Sequence, residues 1–127
     1  GLLGLSGRSD MRDVLAAVEK KDEMARTAVD VFVYRIVKYI GAYAAALNGV
    51  DAIVFTAGIG EKNSYLRKRI LDNLTYLGLT LDEEKNERHD TVITTPASPI
   101  YVLVIPTNEE LVIARDTYNL IHKGENH

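Results

Sequence analysis

The chain has 127 residues, 46% of them hydrophobic and 26% charged, with a net charge of −3 and no cysteine. That length holds one domain or part of a larger one, and there is no basic excess to make nucleic acid the main partner. Disulfides and thiolate metal sites are excluded, and no apolar run approaches the roughly 20 residues that span a bilayer.

Residues 1–9 are glycine-rich and read as a loop or short strand ending in a turn. The run Gly1-Leu-Leu-Gly-Leu-Ser-Gly7 has the character of a protein interior, so the expectation is a fragment of a longer chain. Ser9 or Asp10 can cap the helix that follows, because either side chain accepts from free N–H groups of a first turn. That helix runs through Asp13 to Glu19, with Val14, Leu15 and Val18 on one face. Asp10 and Arg12 at its start serve capping and solvation, or grip a nucleotide ribose or phosphate.

A long helix is expected from Asp22 to about Leu47. Met24, Ala28, Val29, Phe32, Val33, Ile36, Val37, Ile40, Tyr43, Ala44 and Leu47 recur at steps of three and four. So wide an apolar face suits packing across a sheet. Tyr34, Tyr39 and Tyr43 read as packing residues rather than a base-stacking platform. Asn48-Gly49 ends the helix, asparagine and glycine being tolerant of left-handed backbone.

Ala52-Ile-Val-Phe55 is a continuous apolar run, as in a strand covered on both faces. Thr56, Ala57, Gly58 and Gly60 follow, all small, and then a helix from about Ser64 to Leu74. A buried strand, a small-residue turn and a helix offer backbone N–H groups to a phosphate. Gly58 and Gly60 lack Cβ, so they can take unusual backbone angles and admit an anion to the main chain. An ordinary strand-to-helix turn also favours glycine. The spacing is neither a Walker A loop nor G-x-G-x-x-G. In the helix, capped by Asn63 or Ser64, Leu66, Ile70, Leu71 and Leu74 form the buried stripe. Arg67, Lys68 and Arg69 read as a solvated face, although positive charge near the glycines would also favour a polyphosphate.

Leu79-Thr80-Leu81 reads as a short strand and Asp82 to Asp90 as a charged helical turn or loop. The acidic residues and His89 there lack a metal-ligand spacing. Thr91 to Thr95 is β-branched and strand-like. Ile100 to Ile105 is the second buried strand, stopped by Pro106. Thr107-Asn-Glu-Glu110 fits a capping box for a final helix to about His122, with Leu111, Ala114, Tyr118 and Ile121 inward. Glu109 then sits on the first turn after a strand. The helix dipole suffices to explain a carboxylate there, and strand ends in α/β sheets are also where ligands bind.

Three stretches, in order along the chain, resemble the C-terminal part of acetate kinase. They are Gly4-Leu-Ser-Gly-Arg-Ser-Asp-Met-Arg-Asp13, Val54-Phe-Thr-Ala-Gly-Ile-Gly-Glu61 and Val104-Ile-Pro-Thr-Asn-Glu-Glu-Leu-Val-Ile-Ala-Arg115. Lys38-Tyr-Ile-Gly-Ala-Tyr43 between them is similar too. The resemblance implies an α/β fold, part of the nucleotide-binding domain of the sugar kinase/Hsp70/actin (ribonuclease H-like) superfamily. Residues 1–127 would be the C-terminal segment of its second domain, without the N-terminal domain.

Residue by residue, the adenine and ribose region matches Asp10, Met11 and Arg12. The phosphate-side loop matches Gly58, Ile59, Gly60, Glu61 and Lys62, and the magnesium-binding glutamate matches Glu109. The implied reaction is reversible transfer of the γ-phosphoryl group of ATP to acetate, giving acetyl phosphate and ADP, with Mg²⁺ as cofactor. The implied setting is a cytoplasmic homodimer when full length, with neither nucleic acid nor membrane as partner. The family's acetate pocket and catalytic arginines, aspartate and histidine lie in earlier sequence, so no catalytic residue is assigned here and the isolated chain is expected to be inactive. Two departures stand out. Lys62 replaces the asparagine that usually follows Gly-Ile-Gly-Glu, and the segment before Asp10 is one residue shorter. The alternatives are a propionate or butyrate kinase relative, or a non-catalytic interaction module that keeps the fold.

Overall fold

The computed structural model describes residues 11–106 and 119–120, in two compact units divided between residues 45 and 46. The expected caps at Ser9 or Asp10 and at Thr107, and the inward residues Leu111, Ala114, Tyr118 and Ile121, lie outside the described residues.

In the first unit, α1 covers Met11–Glu19 and buries Met11, Val14 and Ala17, at steps of three. Leu15 and Val18, expected on the buried face, are only half-buried. The helix closes by pairing Lys21 N with Val18 O and Asp22 N with Ala17 O, around a left-handed Lys21 at φ 62°. This is a Schellman closure. Asp22 then starts the next helix, its Oδ1 accepting from Ala25 N at 3.1 Å.

That helix, α2, covers Glu23–Ala46. It ends before Asn48 and Gly49, which take φ 58° and 124°, as the asparagine–glycine pair leads one to expect. Its buried residues are Ala25, Ala28, Val29, Val33 and Ala44. The apolar stripe is therefore narrower than its sequence suggests: Met24, Tyr43 and Leu47 are exposed. Tyr34 and Tyr39 are exposed as well, which corrects their assignment as packing residues. The Lys38 ammonium stands 5.4 Å from the centre of the Tyr34 ring.

The second unit is built on two parallel strands, β1 (Ala52–Thr56) and β2 (Tyr101–Ile105), paired from Ala52 with Tyr101 to Thr56 with Ile105. Parallel neighbours need a long crossover, and residues 57–100 supply it. They contain α3 (Gly58–Lys62), α4 (Ser64–Leu71), a 3₁₀ turn at Thr75–Leu77 and α5 (Glu83–Glu87). β2 is buried from Val102 to Ile105. β1 buries Ile53 and Phe55 while Val54 is exposed, so it is covered on one face and not, as its unbroken apolar run suggests, on both.

Ile93 N donates to Val102 O and Val104 N to Thr91 O, so residues 91–94 run antiparallel along the other edge of β2. They and the segment at Leu81 form single bridges, Val92 with Leu103 and Leu81 with Thr94, rather than the strands expected. Each run is cut short. Leu81 is followed at once by the helix cap Asp82, whose Oδ1 accepts from Lys85 N, and the other run ends at Pro96, which has no N–H to donate.

Leu66, Ile70, Leu71 and Leu74 are all buried, as their spacing indicates. Full burial of one such side chain contributes about 1.5–3 kcal/mol. Asn63, rather than Ser64, caps α4, its Oδ1 accepting from Leu66 N at 2.9 Å.

Candidate functional site

β1 leads straight into the candidate phosphate-side segment. After Thr56 the chain turns through Ala57 and Gly58, at φ 59° and 45°. Left-handed backbone costs an L-residue about 1–2 kcal/mol and glycine almost nothing. A Cβ on Gly58 would meet nothing within 4 Å, so glycine is required there by the backbone angle and not by crowding. Ala57 carries the strain, and strained non-glycine residues cluster at ligand sites. Gly60 behaves differently from expectation. It lies inside α3, donates from its N to Ala57 O at 3.2 Å, and a Cβ on it would stand at ordinary contact, 3.6 Å from Phe55 Cβ.

Behind this segment lies Arg67, which is 0% exposed. It sits on α4 within the stripe of Leu66, Ile70 and Leu71, not on a solvated face. Its Nη1 donates to the carbonyls of Gly60 at 3.0 Å and Glu61 at 2.9 Å. Its Nε donates to Asn86 Oδ1 and its Nη2 to Asn86 O, both at 2.7 Å. Nη2 also meets His89 Nδ1 at 2.7 Å. Every acceptor is neutral, so burial pushes the guanidinium below its ordinary range with no opposing charge. Asn86, itself buried, donates from Nδ2 to Ser64 O at 3.0 Å. The sequence signal was available: Arg67 precedes Ile70 by three residues and Leu71 by four, which puts it on their side of the helix. Lys68, by contrast, is surface-paired, with Asp72 at 3.0 Å and Glu83 at 3.4 Å.

Of the other candidate residues, Glu61 is half-buried and Lys62 exposed at the end of α3. Ile59 lies within α3. Met11 and Arg12 belong to the first turn of α1, with Met11 buried in the core at 2% exposure and Arg12 exposed. Asp10 and Glu109 lie outside the described residues. Among the described residues no group of three or more His, Asp or Glu is placed to hold a metal, and no helix is long and apolar enough to cross a membrane. A magnesium ion bound with a nucleotide takes one or two carboxylates, phosphate oxygens and waters, so it does not require such a group.

The family model of the acetokinase family matches residues 1–115. The chain is 51% identical over 127 residues to an acetate kinase of Pseudothermotoga lettingae, covering 98% of this chain and 31% of that protein. It is 54% identical over 129 residues to one of Fervidobacterium nodosum, covering 98% and 32%. The chain thus spans about a third of the length of these relatives. Among solved structures, the acetate kinase of Porphyromonas gingivalis superposes with a TM-score of 0.80 at 41% identity, covering 95% of this chain and 31% of that one. A propionate kinase of Francisella tularensis superposes with a TM-score of 0.79 at 41% identity, covering 91% and 30%.

Proposed function

The chain belongs to the acetokinase family and carries the sugar kinase/Hsp70/actin fold of its structural neighbours, and from that premise we propose that it is the nucleotide-side segment of a kinase. The full-length enzyme transfers the γ-phosphoryl group of ATP reversibly to acetate, giving acetyl phosphate and ADP. Residues 1–127 form the C-terminal segment of its second domain, and the first domain supplies the acyl pocket and the catalytic groups. The enzyme is a cytoplasmic homodimer. The segment alone is inactive.

The observation that carries the reading is the junction after β1. Ala57 and Gly58 stand in consecutive left-handed conformations at the carboxyl end of a parallel strand, where α/β sheets take their ligands. The stretch from Val54 to Glu61 that resembles the family spans that junction. In phosphoryl transfer the protein acts by positioning and by charge stabilisation. Gly58, Ile59, Gly60 and Glu61 would line the phosphates with main chain, and Lys62 would add a cation beside them. Asp10, Met11 and Arg12 would take the adenosine end, Met11 through its main chain because its side chain is buried. Glu109 would hold Mg²⁺, which when bound neutralises phosphate charge.

A second reading concerns the acceptor. The likeness to a propionate kinase is as close in sequence as that to the Porphyromonas acetate kinase, so propionate is the alternative acyl group. A hydroxamate assay on the full-length protein with ATP, Mg²⁺ and either acid tests both. Acyl phosphate is expected with acetate in preference to propionate, and none from residues 1–127 alone. Absence of ATP-dependent acyl phosphate from the full-length protein would overturn the kinase reading.

A further inference from the structure

Arg67 is not among the residues assigned above to the nucleotide, yet it is buried against the back of the phosphate-side segment. A helix leaves its last carbonyls without partners. In α3 these include the carbonyls of Gly60 and Glu61, and both are taken by the one Nη1 of Arg67. A cation at that end also complements the helix dipole. α3 has five residues, far too few to hold helical shape unaided.

Peptide geometry carries the consequence to the ligand side. In a planar trans peptide the N–H points opposite to the C=O. Fixing the Gly60 and Glu61 carbonyls toward Arg67 therefore fixes the N–H groups of Glu61 and Lys62 in the reverse direction, toward the carbonyls of Ala57 and Gly58 that are their helical partners, and so holds the shape of the turn itself. The far side of the guanidinium is held as firmly. Asn86 takes Nε and Nη2, and His89 Nδ1 takes Nη2 again. All five N–H groups of an arginine are thus in use.

We propose that Arg67 is a positioning residue for nucleotide binding: as a C-terminal cap on α3, anchored by Asn86 and His89, it holds the Gly58–Lys62 turn in the conformation that receives the phosphates of ATP. This rests on the kinase reading. Lysine cannot replace it, because one ammonium cannot reach both the Gly60 and Glu61 carbonyls and the Asn86 and His89 acceptors.

The test uses the full-length enzyme with Arg67→Lys, assayed well below its melting midpoint. KM for ATP is expected to rise about tenfold while KM for the acyl substrate stays within twofold. Added guanidinium at millimolar concentration is expected to recover part of the ATP affinity in Arg67→Ala. A fall in thermal midpoint with both KM values unchanged, or an equal rise in both, would make Arg67 a purely structural residue and overturn the proposal. Should neither variant fold, the wild-type enzyme decides. Saturating ATP is expected to shift the ¹⁵N resonance of Arg67 Nε, and an unmoved resonance overturns the inference. ATP binding by the wild type, measured by calorimetry, separates the two claims. If ATP binds and Arg67 proves indifferent, only this inference falls; if ATP does not bind, the kinase reading falls first.

Discussion

Arg67 and Asn86 are joined twice: Nε reaches the asparagine side-chain oxygen and Nη2 its main-chain oxygen, each at 2.7 Å. The two stand nineteen positions apart in the chain, so the pair ties α4 to α5, while the Gly60 and Glu61 carbonyls bring in α3. The three short helices of the crossover are therefore joined by one cation, beside the buried apolar stripe of α4. A buried charge whose partners are all neutral is a poor way to gain stability, since desolvation is costly and only hydrogen bonds offset it. It is a good way to fix direction, because five donors in a rigid plane admit few alternative arrangements.

Breaking this network should be far more damaging than its sequence neighbourhood suggests. Arg67→Met leaves the carbonyls of Gly60, Glu61 and Asn86 without their donor, and a loss of about 3–5 kcal/mol is expected, the range for breaking a buried charged network. Lys68→Met, one position on, should leave stability nearly unchanged, because its ion pairs lie in solvent. Asp72 first and Glu83 after it hold the Lys68 ammonium above its usual 10.5. A raised cation contributes fully below the unfolded value and loses its contribution as pH rises through the folded one. The small effect of Lys68→Met should therefore be constant across neutral pH and fade only in strong alkali. Urea midpoints of the two variants at pH 7 and pH 9 check both statements.

His89 occupies the left-handed position after α5, at φ 57°. Its N donates to Asn86 O, and Asp90 N to Lys85 O, a Schellman closure in which glycine is the usual residue. The strain implies that the side chain has a task, and the geometry supplies one. Arg67 has no lone pair to offer, so His89 Nδ1 must be the acceptor and the ring proton must sit on Nε2. Long-range ¹H–¹⁵N correlation spectra of the His89 ring should show the Nε2–H tautomer. The Nδ1–H tautomer would mean that the contact is not a hydrogen bond at all.

The turn after β1 separates backbone cost from ligand contact. Ala57→Gly should stabilise the protein by about 0.5–1 kcal/mol, since it relieves left-handed strain, part of which is returned as unfolded-state entropy. Gly58→Ala should cost about 1 kcal/mol from the same angle without a steric clash, because the space is open. If phosphates approach the main chain there, Gly58→Ala also fills their path, and KM for ATP should rise by tenfold or more. Thermal midpoints and ATP kinetics on the full-length enzyme read the two effects apart. A KM that moves no further for Gly58→Ala than for Ala57→Gly would remove the phosphates from this turn.

Much of the architecture was legible because it rests on periodicity. The two strands, the long helix and the stripe of Leu66, Ile70, Leu71 and Leu74 all follow from spacing, and so does the asparagine–glycine stop at residues 48 and 49. Burial by distant parts of the chain was not. Val54 looks like its buried neighbours in β1, and Tyr34, Tyr39 and Tyr43 look like core residues, yet all four are exposed. Which face is covered depends on partners that local pattern does not contain. The segments at Leu79–Leu81 and Thr91–Thr95 show the converse: the alternation of the first and the β-branched character of the second are real, but a helix cap and a proline hold them to single bridges, Leu81 with Thr94 and Val92 with Leu103. At the candidate site, the glycine-rich motif located the turn, but Arg67 was grouped with Lys68 and Arg69, the two cations that follow it. Charge outweighed spacing in that reading, and the fold placed the side chain by spacing.

Lys62 is the clearest departure from the family motif and the best test of what charge does at this site. It is exposed, so Lys62→Asn, which restores the usual amide, should leave the melting midpoint unchanged within about 0.5 kcal/mol of stability. An exposed cation acts on a polyphosphate through solvent, and salt screens that attraction over roughly 8–10 Å at 0.1–0.15 M. KM for ATP in the wild type should therefore climb more steeply with added potassium chloride than KM in Lys62→Asn. At low salt the wild type should bind ATP more tightly, and at high salt the two should converge or cross, the asparagine keeping its short-range hydrogen bond. Parallel salt curves would mean that Lys62 points away from the phosphates, and the site would then depend on main-chain contacts and on residues outside this segment.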